Sequence, residues 1–316
     1  MAGASRFTRI LPALVSLAII VAAGTVLYRA LGRMDAVDVA ARFTAIPTTS
    51  IVLAAIFTVL AFTALAFYEV AMLKYIGSGI ASWRPFLAAL SAYPIGHAVG
   101  FGALSGGAVR YRCYSAAGLS AFDVGKVIVL SVLPYALGLS LLCAVGLVTD
   151  SADAARLLKV PPTTAVVGGV LLLAGHVAWN VAVWRVRGPI SLRWFDMELP
   201  TPRMTAVQYA LGLVDALSGI AVLYVLLPDG AGISFLTFAA VYVIAIFVGL
   251  LSSVPAGLGV FESMLLLMLR DVDPEALLGS VLAYRLIFEL APFLVGVVLF
   301  LGWEGWTRWL PPARPR

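Results

Sequence analysis

The sequence predicts an all-α, polytopic membrane protein with about six full spans, two opposed re-entrant hairpins and a possible inverted repeat. Three observations predict it. The 316 residues are 62% hydrophobic and only 12% charged, with a mean hydropathy of +1.03, whereas a soluble domain is about 25% charged. Six apolar runs are long enough, at a rise of about 1.5 Å per residue, to cross a hydrocarbon core of about 30 Å. Two further apolar stretches are interrupted by Ser/Gly/Pro breaks, and free backbone polar groups at membrane depth must be buried in protein or line a wet cavity. No long polar stretch exists to build a soluble domain, so residues 1–316 read as a single transmembrane domain.

The first run, 11–31, is too long for a signal-peptide core and lacks a clear cleavage site, so it reads as a retained span. In the connection that follows, Asp35, Asp38 and Arg42 share one helical face and suggest a short interfacial helix. The second span, 50–73, carries Tyr68 and Glu69 near its end. An apolar segment with Pro94, Gly96, His97, Gly100 and Gly102 then meets the first break, Gly102 to Tyr114. Ser120 and Asp123 resemble a capping box at the start of a span reaching residue 148. Residues 150–162 read as a charge-balanced loop, 163–184 as a span, and 185–205 as a loop with four arginines. The span 206–227 carries Asp215. Residues 235–251 lead into the second break, Ser252 to Glu262. The apolar stretch 261–269 would be roughly 14 Å long as a helix, too short to span. The last span, 276–301, contains Arg285 and Glu289, and Trp303, Trp306 and Trp309 form an aromatic belt.

Topology links these segments. If the arginine-rich loop 185–205 is cytoplasmic and so is the connection from Lys74 to Arg84, then 85–120 begins and ends on that side and must be a hairpin. If the basic tail is also cytoplasmic, 235–270 is a second hairpin entering from the opposite face. Opposed hairpins suggest an inverted repeat with its site near the midplane. The competing arrangement is eight or nine ordinary spans with Gly/Pro kinks. The net charge of +5 fits basic loops facing anionic lipid; no basic–aromatic groove suggests nucleic acid. Cys113 and Cys143 have neither metal-ligand spacing nor the context of a disulfide.

The chemistry concentrates at the breaks. Ser105, Gly106 and Gly107 precede Arg110 and Arg112; a half-helix starting there would turn free N–H groups toward an anion, with the arginines holding a phosphate. The competing reading is two positive-inside arginines among lipid headgroups. Pro255, Gly257 and Gly259 stop and reverse a helix just before Glu262, which is either an N-terminal cap or part of a cation site. Arg285 and Glu289, spaced i, i+4, can pair with each other or complete a polar pocket with Glu262 and Glu69. Asp215 is a further ionisable group within a span, and such groups usually face the bundle interior. His97 and His176 read as packed or interfacial. GxxxxGK[ST], HExxH and GxSxG are absent, and nothing calls for a metal or cofactor.

The segments SGGAVRYRCYSAAGLS (105–120) and SSVPAGLGVFES (252–263) together resemble the membrane domain of the bacterial lysylphosphatidylglycerol synthase/flippase family, a resemblance covering nearly the whole chain. It implies a bacterial inner-membrane lipid transporter, not an enzyme, that moves aminoacylated phosphatidylglycerol from the inner to the outer leaflet and so contributes to resistance against cationic peptides. The two-domain members carry a soluble transferase after the membrane domain; this sequence stops at Arg316, so synthase activity is not expected in it. The implied partners are a phospholipid substrate, the membrane, a separate aminoacyl-phosphatidylglycerol synthase and a second copy of the chain. On this view the arginines near Gly106 suit the phosphate, and Glu69, Glu262 and Glu289 suit a lysyl ammonium. Another phospholipid or a small cation as cargo, an intramembrane headgroup enzyme using His97 and Glu69, and a non-transporting adaptor are the alternatives.

Overall fold

The computed structural model describes residues 45–309, except 81–82, 100–101, 187–188, 193–194, 229–230 and 252–254. The expected span 11–31, the interfacial helix near Asp35 and the basic tail lie outside the described residues.

Helix α1 (Thr48–Tyr75) starts after Pro47, and the chain turns away at Gly77 with φ 72°. Two short helices follow, α2 (Trp83–Val99) and α3 (Gly102–Ser115), packed against each other. Gly118, at φ 92°, turns the chain into α4 (Ala121–Thr149). There the Ser120 hydroxyl oxygen accepts from the Asp123 N–H at 3.1 Å, the cap its sequence suggests. α5 (Ser151–Leu158) ends on left-handed Lys159, and α6 (Pro162–Arg185) begins with proline at its first position. A two-stranded antiparallel hairpin, β1 (Pro189–Leu192) and β2 (Phe195–Glu198), pairs Pro189 with Glu198 and Leu192 with Phe195. α7 (Pro202–Tyr224) is capped by Thr201. Then come α8 (Phe235–Leu251), a tight turn at Pro255–Gly257 and α9 (Val260–Met268). α10 (Pro274–Tyr284) runs through a π-helical segment, Arg285–Leu290, into α11 (Ala291–Trp309).

Five helical stretches among the described residues are long and apolar enough to span: α1, α4, α6, α7 and the continuous run Pro274–Thr307. The chain is therefore an all-α, polytopic membrane protein whose β-structure, among the described residues, is one small hairpin. The two segments expected as hairpins consist of paired short helices. α2 and α3 have 17 and 14 residues, or about 25 and 21 Å; α9, with 9 residues, is shorter still.

Three local expectations are corrected. Residues 150–162 contain helix α5, whose small Ala154 and Ala155 are buried against the bundle. The arginine-rich loop contains the β-hairpin. The glycines of the first break do not unwind the chain: Gly106 and Gly107 lie inside α3, so no half-helix begins there.

Helix α7 is central, packing on α1 and α4; α4 also carries α6, and α2 contacts α1, α3 and α11. The α4–α7 crossing needs glycine on both sides. A Cβ on Gly138 would sit 2.2 Å from the Gly212 carbonyl carbon, and one on Gly212 would sit 2.0 Å from the Pro134 oxygen. Small residues let backbones approach where lipid offers no hydrophobic drive for association. One core surrounds Ile220, Phe238, Leu265 and Leu277; another joins α2, α3 and α11 through Ala92, Val109, Phe293 and Phe300.

Candidate functional site: two buried charge clusters

The first cluster ties α1 to α3. Tyr68 and Glu69 are adjacent on a helix and therefore point to different neighbours. Glu69, 0% exposed, accepts from Arg110 Nε at one oxygen and from the Tyr114 hydroxyl at the other, the latter at 2.6 Å. Arg110 is 4% exposed and its guanidinium lies 4.3 Å from the centroid of the Tyr93 ring on α2. One arginine and one carboxylate make this cluster neutral. Its glycine serves packing: a Cβ on Gly106 would sit 2.7 Å from the Ala92 oxygen and 3.2 Å from Arg110 Nη1. Ser105, half-buried, lies one residue before it.

The second cluster is built by the second break. Ala256, Gly257 and Gly259 all have positive φ, at 53°, 59° and 84°; glycine adopts this region freely, and Ala256 holds it under strain. The reversal, which starts at Pro255, turns the Ala256 carbonyl onto Arg285 Nη1 at 2.8 Å. Glu262 is the cap its position suggests, and it also joins the cluster. One oxygen accepts from the Gly259 N–H at 2.8 Å, capping α9, and the other meets Arg285 Nη2 at 2.7 Å. Glu289 takes Arg285 Nη1 with both oxygens, at 2.9 and 2.7 Å. The π-helical segment sets this register, since Arg285 and Glu289 both lie within it; such segments often mark functional sites. Two carboxylates face one guanidinium, an excess of one negative charge. Arg285 is 9% exposed, whereas Glu262 and Glu289 are 20% and 24% exposed.

Several expected groupings are revised. Glu69 pairs with Arg110, whereas Glu262 and Glu289 share Arg285. Arg110 and Arg112 do not act as a pair: Arg112 Nη2 bonds Glu304 at 3.0 Å and its guanidinium lies 5.4 Å from the Trp303 ring centroid. Trp303 is accordingly buried rather than part of an exposed belt, whereas Trp306 is 68% exposed. Asp215, 4% exposed, accepts from the Tyr68 hydroxyl at 3.0 Å. α2 is the common element: Tyr93 covers Arg110, and α2 also packs on the 255–257 turn and on Arg285–Leu290.

Sequence reasoning missed a polar set on α4, α6 and α7. His176 Nδ1 lies 2.7 Å from the Tyr209 hydroxyl and Nε2 lies 3.2 Å from Ser140 Oγ; Asn180 donates to Tyr209 at 3.2 Å. It borders an open groove of about 950 Å³, lined by residues including Leu173, Val177 and Trp184. The i, i+4 spacing of His176 and Asn180 was the available signal. Cys113 and Cys143 are free and buried. Among the described residues, no group of three or more His, Cys, Asp or Glu is placed to hold a metal.

No family model matches the chain. It is 28% identical over 265 residues to the uncharacterized protein slr0712 of Synechocystis, covering 81% of this chain and 80% of that one. It is 23% identical to the inner membrane protein YbhN of Escherichia coli over 61% of each chain. It is 25% identical over 279 residues to phosphatidylglycerol lysyltransferase of Staphylococcus aureus, covering 86% of this chain but 32% of that enzyme. The chain thus spans less than two thirds of the length of the latter two relatives. It is a multi-pass membrane protein and a distant homologue of an inner membrane protein and of one stretch of a lipid lysyltransferase.

Proposed function

We propose that the chain is a phospholipid transporter of the bacterial cytoplasmic membrane that moves aminoacylated, in particular lysyl-, phosphatidylglycerol from the inner to the outer leaflet. On this reading α2–α3 and α8–α9 are re-entrant hairpins and the chain acts as a transporter rather than an enzyme. Delivery of a cationic lipid to the outer leaflet lowers surface negative charge and contributes to resistance against cationic peptides. A separate synthase supplies the lipid.

One observation carries the reading: the Arg285–Glu262–Glu289 cluster sets two carboxyl groups against one guanidinium, and the two carboxyl groups remain partly open while the arginine is buried. That arrangement suits a mobile ammonium. Ionisable groups within a membrane cost about 2.5–3.5 kcal/mol or more each, so a structural pair would need one carboxylate, not two. The similarity to a stretch of phosphatidylglycerol lysyltransferase supports the choice of lipid.

The test is lipid transfer in proteoliposomes, comparing labelled lysylphosphatidylglycerol with unmodified phosphatidylglycerol. Faster transfer of the lysyl lipid, lost in Glu262→Gln and Glu289→Gln, is the expected result. Equal transfer of both lipids would overturn the lysyl specificity and leave a general phospholipid scramblase. A small cation as cargo would appear as ion flux without lipid transfer.

A further inference from the structure

Arg110 was the natural candidate to hold a lipid phosphate, yet its charge is already met by Glu69. The phosphate must be held elsewhere, and we infer that it is held by Arg84 and Arg112 at the open end of the α2–α3 pair. Arg84 is the second residue of α2, and Arg112 is in the last turn of α3. The two helices are consecutive in the chain and packed against each other, which brings these ends to the same side of the pair. Both arginines act electrostatically on Cys113, as does Glu304 from α11.

The donors lack acceptors. Arg84 Nη1 and Arg112 Nε are shielded from solvent and donate to nothing among the described residues. Arg112 spends Nη2 on Glu304, and no described acid pairs with Arg84. Among the described residues, two guanidiniums stand against one carboxylate. A shielded, unsatisfied N–H on a charged group is costly, and an oxyanion offers several acceptors at once, in the geometry guanidinium forks match. Trp83, 53% exposed beside Arg84, marks this end as the membrane–water boundary. The ligand is a phosphate oxyanion, and the headgroup phosphodiester of a phospholipid is the source that sits at this level. The site deepens the transport reading and rests on it for the cargo: phosphate at the positive mouth, ammonium at the negative second cluster.

The test uses the full chain in detergent, with phosphatidylglycerol retention read by native mass spectrometry and inorganic phosphate as competitor. Arg84→Gln and Arg112→Gln should each weaken retention about tenfold, the loss of one charge-assisted hydrogen bond. Arg84→Lys should recover part of it. Glu304→Gln, which removes a competing acceptor, should retain lipid at least as well as wild type. Unchanged retention in both arginine variants would overturn the site, as would an equal loss in Glu304→Gln, the mark of a merely structural ion pair. Displacement of the lipid by millimolar inorganic phosphate supports a shared oxyanion pocket; phosphate binding that leaves lipid retention untouched overturns the headgroup assignment. Binding and transport fail separately. Arginine-dependent retention without wild-type lipid transfer keeps the site and removes the transport reading; active transfer with arginine-independent retention does the reverse.

Discussion

Glu69→Gln separates a structural Arg110 from a ligand-binding one. The substitution keeps shape and removes charge. It leaves a guanidinium only 4% exposed without the one carboxylate it meets. Breaking a buried ion pair from one side costs about 3–5 kcal/mol, because the remaining charge is uncompensated. Glutamine still offers one acceptor oxygen and Tyr93 still faces the guanidinium, so the lower end, about 3 kcal/mol, is expected. At roughly 2–4 °C per kcal/mol the melting temperature should fall by about 10 °C. The assay is size-exclusion after heating in detergent. The double variant Glu69→Gln/Arg110→Met should recover most of the loss, since an apolar replacement of a buried pair is often neutral. Glu69→Gln melting with the wild type, or a double variant no better than the single, would refute the reasoning. Arg110→Met that melts normally yet fails to transfer lipid would return Arg110 to the role its sequence context suggests.

Gly212→Ala places a Cβ against the Pro134 carbonyl, which is backbone and cannot swing aside; a loss of about 1–3 kcal/mol, seen as a lower melting temperature, is expected. Tyr68→Phe removes the hydroxyl that Asp215 accepts, and should cost about 1–3 kcal/mol, largely restored when Asp215→Asn is added. Cys113 and Cys143 are 1% and 8% exposed, so a maleimide should label neither in the folded protein within minutes and both after denaturation. Ala256→Gly relieves a positive φ on a non-glycine residue and should leave stability equal or higher by up to about 1 kcal/mol.

The sequence by itself determined what depends on chain-local physics. Membrane-length apolar runs can only be helices when every backbone group must be satisfied internally, which fixed the spans seen at α1, α4, α6, α7 and Pro274–Thr307. Glycine and proline located the second reversal. Short-range spacing found the Ser120 cap, the Glu262 cap and the Arg285–Glu289 pair, each within four residues. It missed α5 and the β-hairpin because these elements are short, eight residues and four per strand, too few for a periodic pattern to stand out. Only the tertiary structure decided which charges distant in sequence meet. Arg110 finds Glu69 41 residues away, Tyr68 finds Asp215 at 147, and Arg112 finds Glu304 at 192. These partners depend on each helix's rotation and depth. A soluble helix announces its rotation through one apolar face, but a helix that is apolar all round does not. The packing of α2 against α3 and of α4 against α7 set those rotations, and with them the balance that leaves one cluster neutral and the other negative.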